Sequence, residues 1–175
     1  KSYLSAKEQE FDLQRDYFHL RGQDNILKYQ PVGKIVIRIH PDDTLFDILA
    51  RIAAARISEC TPLISINPDE HNEALGFVLS REGKEFSGNA EILIQSHADL
   101  IAMIPDVDRI RYAAPDRVAR DLYEAAAETG FYIARAKVVM EGRVELLHYY
   151  REQSVCNTYH RYGNIGEKAF LFDDS

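Results

Sequence analysis

Cysteine is scarce in this 175-residue chain: Cys60 and Cys156 are the only two, and no motif spacing joins them. That excludes a disulfide framework and suits two reduced thiols in a cytoplasmic protein. No apolar run approaches membrane-spanning length, and no secretory signal pattern opens the sequence. An excess of positive charge is also missing. The formal net charge is −7, which argues against broad nucleic-acid binding, where Lys and Arg must neutralise phosphates. There is no internal repeat and no low-complexity tract. The initiator Met is absent too; the chain begins at Lys1 and is read as a piece of a longer polypeptide.

What is present is ordinary for one globular domain: 46% hydrophobic and 28% charged residues. Residues 1–32 are polar with scattered aromatics and read as a connecting arm, with a short helix over 5–14. Regular patterning starts at Gly33. Short β-branched runs predict strands at 34–39, 62–66, 91–95, 109–112 and 131–134. Between them, i, i+3, i+4 spacing predicts helices over 44–59, 70–79, 97–104 and 115–129. Pro115 and Gly130 punctuate the last of these. A helix over 145–152 and a sixth strand over 153–157 follow. The alternation predicts an α/β fold, a Rossmann-like open, mostly parallel sheet with helices on both faces. The division is 1–32 as arm, 33–152 as Rossmann-like domain, and 153–175 as terminal strand and docking tail.

A parallel α/β sheet raises the question of a nucleotide. Dinucleotide folds place glycines between the first strand and first helix, so that backbone N–H groups approach the pyrophosphate. Here that turn is His40-Pro41-Asp42-Asp43-Thr44. It has no glycine, and Pro41 removes a donor. Asp42 and Asp43 put carboxylates where phosphate charge would sit, and one of them is expected to cap the helix. No NAD, FAD or ATP is expected to bind there. Gly83 and Gly88 do not have fingerprint spacing and read as loop.

Other candidates are weaker. Cys156 lies near Ser154, His148 and His160, which leaves open an alternative: a cofactor-binding or catalytic α/β domain with a site near Cys156. A lone cysteine in a strand is more often a small buried hydrophobe. The spacing of His148, Cys156 and His160 matches no zinc pattern. Glu141-Gly142-Arg143 reads as a polar turn. Tyr149-Tyr150-Arg151 and Tyr159-His160-Arg161-Tyr162 mix aromatics with arginine, a composition enriched at protein interfaces. Arg151, Tyr159, His160, Arg161, Tyr162 and Asn164 are the expected interface residues, with no catalytic, cofactor or metal ligand assigned.

Several runs carry a family resemblance. Glu145-Leu146-Leu147-His148-Tyr149-Tyr150-Arg151-Glu152-Gln153-Ser154-Val155, within 142–155, resembles the C-terminal end of bifunctional proline utilisation A flavoenzymes. So does Tyr159-His160-Arg161-Tyr162-Gly163-Asn164-Ile165-Gly166. The entry run Leu20-Arg21-Gly22-Gln23-Asp24-Asn25-Ile26-Leu27-Lys28-Tyr29-Gln30-Pro31 is similar to that family's passage out of its aldehyde dehydrogenase module. The run Arg109 to Arg117 also fits; residues 67–90 are not diagnostic. The tail departs from members whose tail is built of small residues.

The resemblance implies a cytoplasmic parent enzyme. It would oxidise proline with FAD, giving delta-1-pyrroline-5-carboxylate, and oxidise the hydrolysed semialdehyde to glutamate with NAD. The intermediate would pass through an internal tunnel. This chain would be the extra C-terminal domain, itself without cofactor or catalysis, helping to close the tunnel and support assembly. Its partners would be the aldehyde dehydrogenase module and, in a homo-oligomer, a second copy; no nucleic acid and no membrane span are expected.

Overall fold

The computed structural model describes residues 1–88 and 90–158. The chain opens with α1 (Ser2–Ala6), which runs directly into a π-helical turn over Lys7–Phe11. Ala6 and Phe11 are buried in the chain's own core. The helix therefore starts and ends earlier than the spacing predicts. Two strands follow, β1 (Arg15–Asp16) and β2 (Gln23–Pro31). The sequence reading contains neither, because β2 alternates no clear apolar face and is intermediate in burial along most of its length.

The regular part then begins. Strand β3 (Lys34–Arg38), with Ile35, Val36 and Ile37 fully buried, leads into α2 (Leu45–Ile57). The cap of α2 is Thr44, in a capping box with Asp47, and not Asp42 or Asp43. Thr44 Oγ1 accepts from Asp47 N, and the Asp47 carboxylate accepts from Thr44 N. Strand β4 (Thr61–Ile66) follows, then two short helices: α3 (Leu75–Val78), only part of the helix expected over 70–79, and α4 (Arg81–Phe86), which lies beyond that range. Ser80 divides them: its hydroxyl caps α4 by accepting from Gly83 N.

Next come β5 (Glu91–Ile94), α5 (His97–Ala102) and β6 (Arg109–Arg111). Pro115 starts a 3-10 turn, and α6 (Arg120–Thr129) ends at Gly130 in the left-handed conformation. Strand β7 (Ile133–Ala134), α7 (Gly142–Glu145), a 3-10 turn over Leu146–Tyr149 and β8 (Tyr150–Thr158) complete the described chain.

Five strands form one parallel sheet in the order β5-β4-β3-β6-β7. One apolar cluster joins α2 and α3 to one face; a second joins α5 and α6 to the other. This is the Rossmann-like architecture read from the alternation of strands and helices. The exception is the end of the chain. Tyr150 opens a strand where a helix is expected, and β8 does not join the parallel sheet. It pairs antiparallel with β2 over nine residue pairs, from Gln23↔Thr158 to Pro31↔Tyr150. With β1 it makes a separate three-stranded ribbon, order β1-β2-β8.

The ribbon is held at its base. Phe11 stacks on Tyr150 with ring centroids 4.6 Å apart, and Tyr29 leans on Phe11 at 4.8 Å. Arg109, in β6, donates through Nη1 to His148 O at 2.7 Å and Tyr150 O at 3.1 Å. Asp108 accepts from Lys34 N and from Arg151. Sheet and ribbon are thus tied where β8 begins.

Candidate functional site: a filled switch point and an open ribbon edge

In an open α/β sheet, ligands bind outside the carboxyl ends of the strands, where the strand order reverses. Here that place lies between β3 and β6. One side chain fills it. Arg51 comes from the buried face of α2, with its side chain 0% exposed. Its Nη1 donates to Arg38 O at 2.8 Å and Arg111 O at 3.2 Å, the last residues of β3 and β6. Its Nε donates to Asp47 O in its own helix. Its Nη2 pairs with Asp43. A single guanidinium group therefore spans the two strand ends that would flank a nucleotide.

The turn that would cradle a pyrophosphate is filled as well. The Asp43 carboxylate receives Arg51 from inside, Arg117 Nη1 at 2.5 Å from outside, and His40 N at 3.1 Å. Asn72 Nδ2 donates to the carbonyls of His40, Pro41 and Asp43 at 2.8, 3.0 and 2.8 Å. Asn72 fixes the path of the turn, and the two arginines fix the carboxylate within it. Burial pulls the Arg51 guanidinium below its ordinary range, and the adjacent Asp43 opposes that pull.

Arg111 continues the network into the next layer. Its guanidinium meets Glu145 through Nε and Nη2 at 2.8–3.2 Å, and both side chains are 0% exposed. Tyr149 Oη donates to the same carboxylate at 3.1 Å. Buried charges need such pairing to be tolerated. Neither network presents a free acid, base or nucleophile.

Sequence reasoning missed Arg51, Asn72, Arg111, Arg117 and Glu145. A signal existed for Arg51: it lies between Ile48 and Ile52 on the stripe that α2 buries. Arg111 had one too, as a charge inside a short strand that is buried throughout.

The cysteines separate cleanly. Cys60 is buried and its thiol is pushed up to about 12, mainly by desolvation. Cys156 is exposed on β8, with Thr158 Oγ1 at 3.9 Å as its recorded polar neighbour. The His148 imidazole is pulled down to about 4 by burial, with Arg111 and Arg109 adding to the effect. Among the described residues no three His, Cys, Asp or Glu side chains group as a metal site, and no helix is long and apolar enough to cross a membrane.

The second feature is the ribbon edge. The order β1-β2-β8 leaves one side of β8 without a strand partner among the described residues. Every residue from Arg151 to Thr158 is exposed. An open strand edge offers a row of unpaired N–H and C=O groups to another chain. Arg151 stands at its start, 55% exposed and paired with Asp108 at 2.7 Å. Tyr149 and Tyr150, beside it in sequence, are buried in the chain's own core. Tyr159, His160, Arg161, Tyr162 and Asn164 lie outside the described residues.

No protein-family model matches the chain, and no curated protein matches it in sequence. Solved structures do. Proline utilization A from Corynebacterium freiburgense aligns with a TM-score of 0.60 and 23% identity, over 91% of this chain and 13% of that one. Histidinol dehydrogenase from Elizabethkingia anophelis aligns at 0.57 and 14%, over 77% of this chain and 33% of that one. A double mutant of betaine aldehyde dehydrogenase from Staphylococcus aureus, in complex with NAD+, aligns at 0.57 and 14%, over 75% and 27%. The chain thus has the α/β fold of a part of proline utilization A that is also found in aldehyde dehydrogenases. It spans a third or less of each of these proteins.

Proposed function

We propose that the chain is a docking domain, without catalysis of its own, of a bifunctional cytoplasmic enzyme that converts proline to glutamate. In this reading the parent holds FAD in its proline dehydrogenase part and NAD in its aldehyde dehydrogenase module. The present domain binds neither. It docks on the aldehyde dehydrogenase module, in its own chain or in a second copy, and supports tunnel closure, channelling of the intermediate, and assembly. Residues 1–32 act as the connecting arm, 33–152 as the Rossmann-like body, and 153–175 as terminal strand and docking tail. Arg151, Tyr159, His160, Arg161, Tyr162 and Asn164 contribute to the docking surface.

The observation that carries this reading is the Arg51–Asp43 pair across the switch point. It places a buried guanidinium and its counter-anion where a dinucleotide would lie. The exposed edge of β8 supports docking in its place. Likeness to proline utilization A over 91% of this chain, with the runs quoted from the sequence, supports the identity of the parent.

The test uses the full-length parent and two truncations. One stops after Thr158 and keeps the ribbon; the other stops after Glu152 and removes most of β8 as well. NADH formation from proline is followed alongside each half-reaction. A lag or a loss of coupled rate, with proline dehydrogenation intact, is expected. Unchanged coupled kinetics and unchanged assembly in both truncations would refute a docking role.

A further inference from the structure

We propose that the turn before α2 is an oxyanion site that the chain fills with its own Asp43. Asp43 is then the residue that denies this site to an external carboxylate or phosphate. The inference rests on the reading above, in which the switch point takes no nucleotide, and it adds the cause.

Three donors converge on one carboxylate: Arg51 Nη2, Arg117 Nη1 and His40 N. Arg51 reaches it from the interior at 0% exposure, and Arg117 from the rim at 17%. Two guanidinium groups and a backbone N–H around one pair of oxygens form a donor set suited to carboxylate or phosphate. Charge points the same way, since two cations face a single fully buried anion. The next carboxylate, Asp47, is engaged by Thr44 and stands 3.4 Å from Arg117.

A cleft of about 710 Å3 adjoins the turn, lined by Asp43 together with Asp42, Thr44, His71, Glu73 and Phe77 among others. Removing the Asp43 side chain is expected to leave a space between this cleft and the two guanidinium groups, of which Arg117 already reaches solvent at 17% exposure. Asp42 and Glu73 stand on the same cleft and repel an entering anion, so binding is expected to be weak and best for a small, singly charged one. Formate is therefore the first probe.

The experiment is chemical rescue in the 175-residue chain. Asp43→Gly removes the carboxylate and leaves its three donors. Asp43→Asn removes the charge and keeps the space filled. Thermal unfolding of both, and of the unaltered chain, is followed in chloride and then with formate, acetate or inorganic phosphate at constant ionic strength. Asp43→Gly is expected to unfold at lower temperature in chloride and to recover at least half of the lost Tm, saturably, in formate. Asp43→Asn and the unaltered chain are expected not to respond.

A response of Asp43→Gly no larger than that of the unaltered chain overturns the proposal. Should Asp43→Gly be unfolded in chloride, formate-dependent refolding by circular dichroism gives the same readout, and its absence overturns the proposal equally. The two readings fail separately. Binding of NAD+ to the unaltered chain would sink the docking-domain reading, whereas absent rescue sinks only the oxyanion site.

Discussion

Arg111→Met tests the buried network most sharply. The substitution keeps volume and removes the charge. It strands the Glu145 carboxylate at 0% exposure, with the Tyr149 hydroxyl and Val139 N–H as its remaining donors. Removing one partner of a buried pair costs about 3–5 kcal/mol, because the other charge stays buried without compensation. Two carbonyls, Tyr112 O and Ala136 O, also lose their arginine donor, adding about 1–2 kcal/mol together. The total, about 4–7 kcal/mol, is a large share of the ~5–15 kcal/mol by which a domain is stable. Urea unfolding measures it. The double variant Arg111→Met/Glu145→Leu removes both charges and should regain at least ~2 kcal/mol over the single variant. A cost below about 1 kcal/mol for Arg111→Met, the range of an exposed pair, would refute the reasoning.

Three further outcomes follow from packing and titration. His148 is held near 4 when folded, against an ordinary 6.5, so between those values the unfolded chain binds the extra proton. Stability should therefore fall as pH drops from 6.5 toward 4, by at most ~1.4 kcal/mol per pH unit and less because His148 is partly exposed; denaturant titrations of His148→Gln should show that slope flattened. Gly142→Ala would put a Cβ 2.5 Å from Ser2 O and 2.8 Å from Ala6 Cβ. It should cost about 1–3 kcal/mol, and hydrogen exchange should show α1 loosened while the parallel sheet stays protected. Cys60, buried with its thiol near 12, should resist a thiol reagent at pH 8 until the chain unfolds, whereas exposed Cys156 should react at once; equal labelling rates would contradict the burial.

The legible part of the fold is the part made by local pattern. Strands β3 and β4 are short β-branched runs, and α2 and α6 repeat apolar residues at helical spacing, so each announces itself within its own segment. The ribbon does so only in part: the strand expected over 153–157 lies within β8. Residues 23–31 and 150–158 are polar enough to stand in solvent, and each becomes a strand through the other. Their pairing spans most of the chain, so only 153–157 showed as a strand from its own segment, whereas β1, β2 and the start of β8 did not. Hence Tyr150 to Glu152 read as helix, although Tyr150 and Pro31 close the base of the ribbon.

The site was legible by half. The lack of glycine after β3 and the presence of Asp43 are both visible in sequence. The role expected for Asp43, a helix cap, belongs to Thr44 instead. Its actual partners, Arg51 and Arg117, lie 8 and 74 residues away. On α2, Leu45 and Arg56 are exposed, whereas Arg51 is fully buried. An arginine on the inner face of a helix becomes intelligible only once two strand ends are seen to need a donor.

Calorimetric titration of NAD+ into the 175-residue chain tests the central claim most directly. With Arg51 bridging Arg38 O and Arg111 O, and Asp43 filling the phosphate position, no saturable binding is predicted. Stoichiometric binding of NAD+, weakened by substitutions in the turn 40–44, would contradict the account.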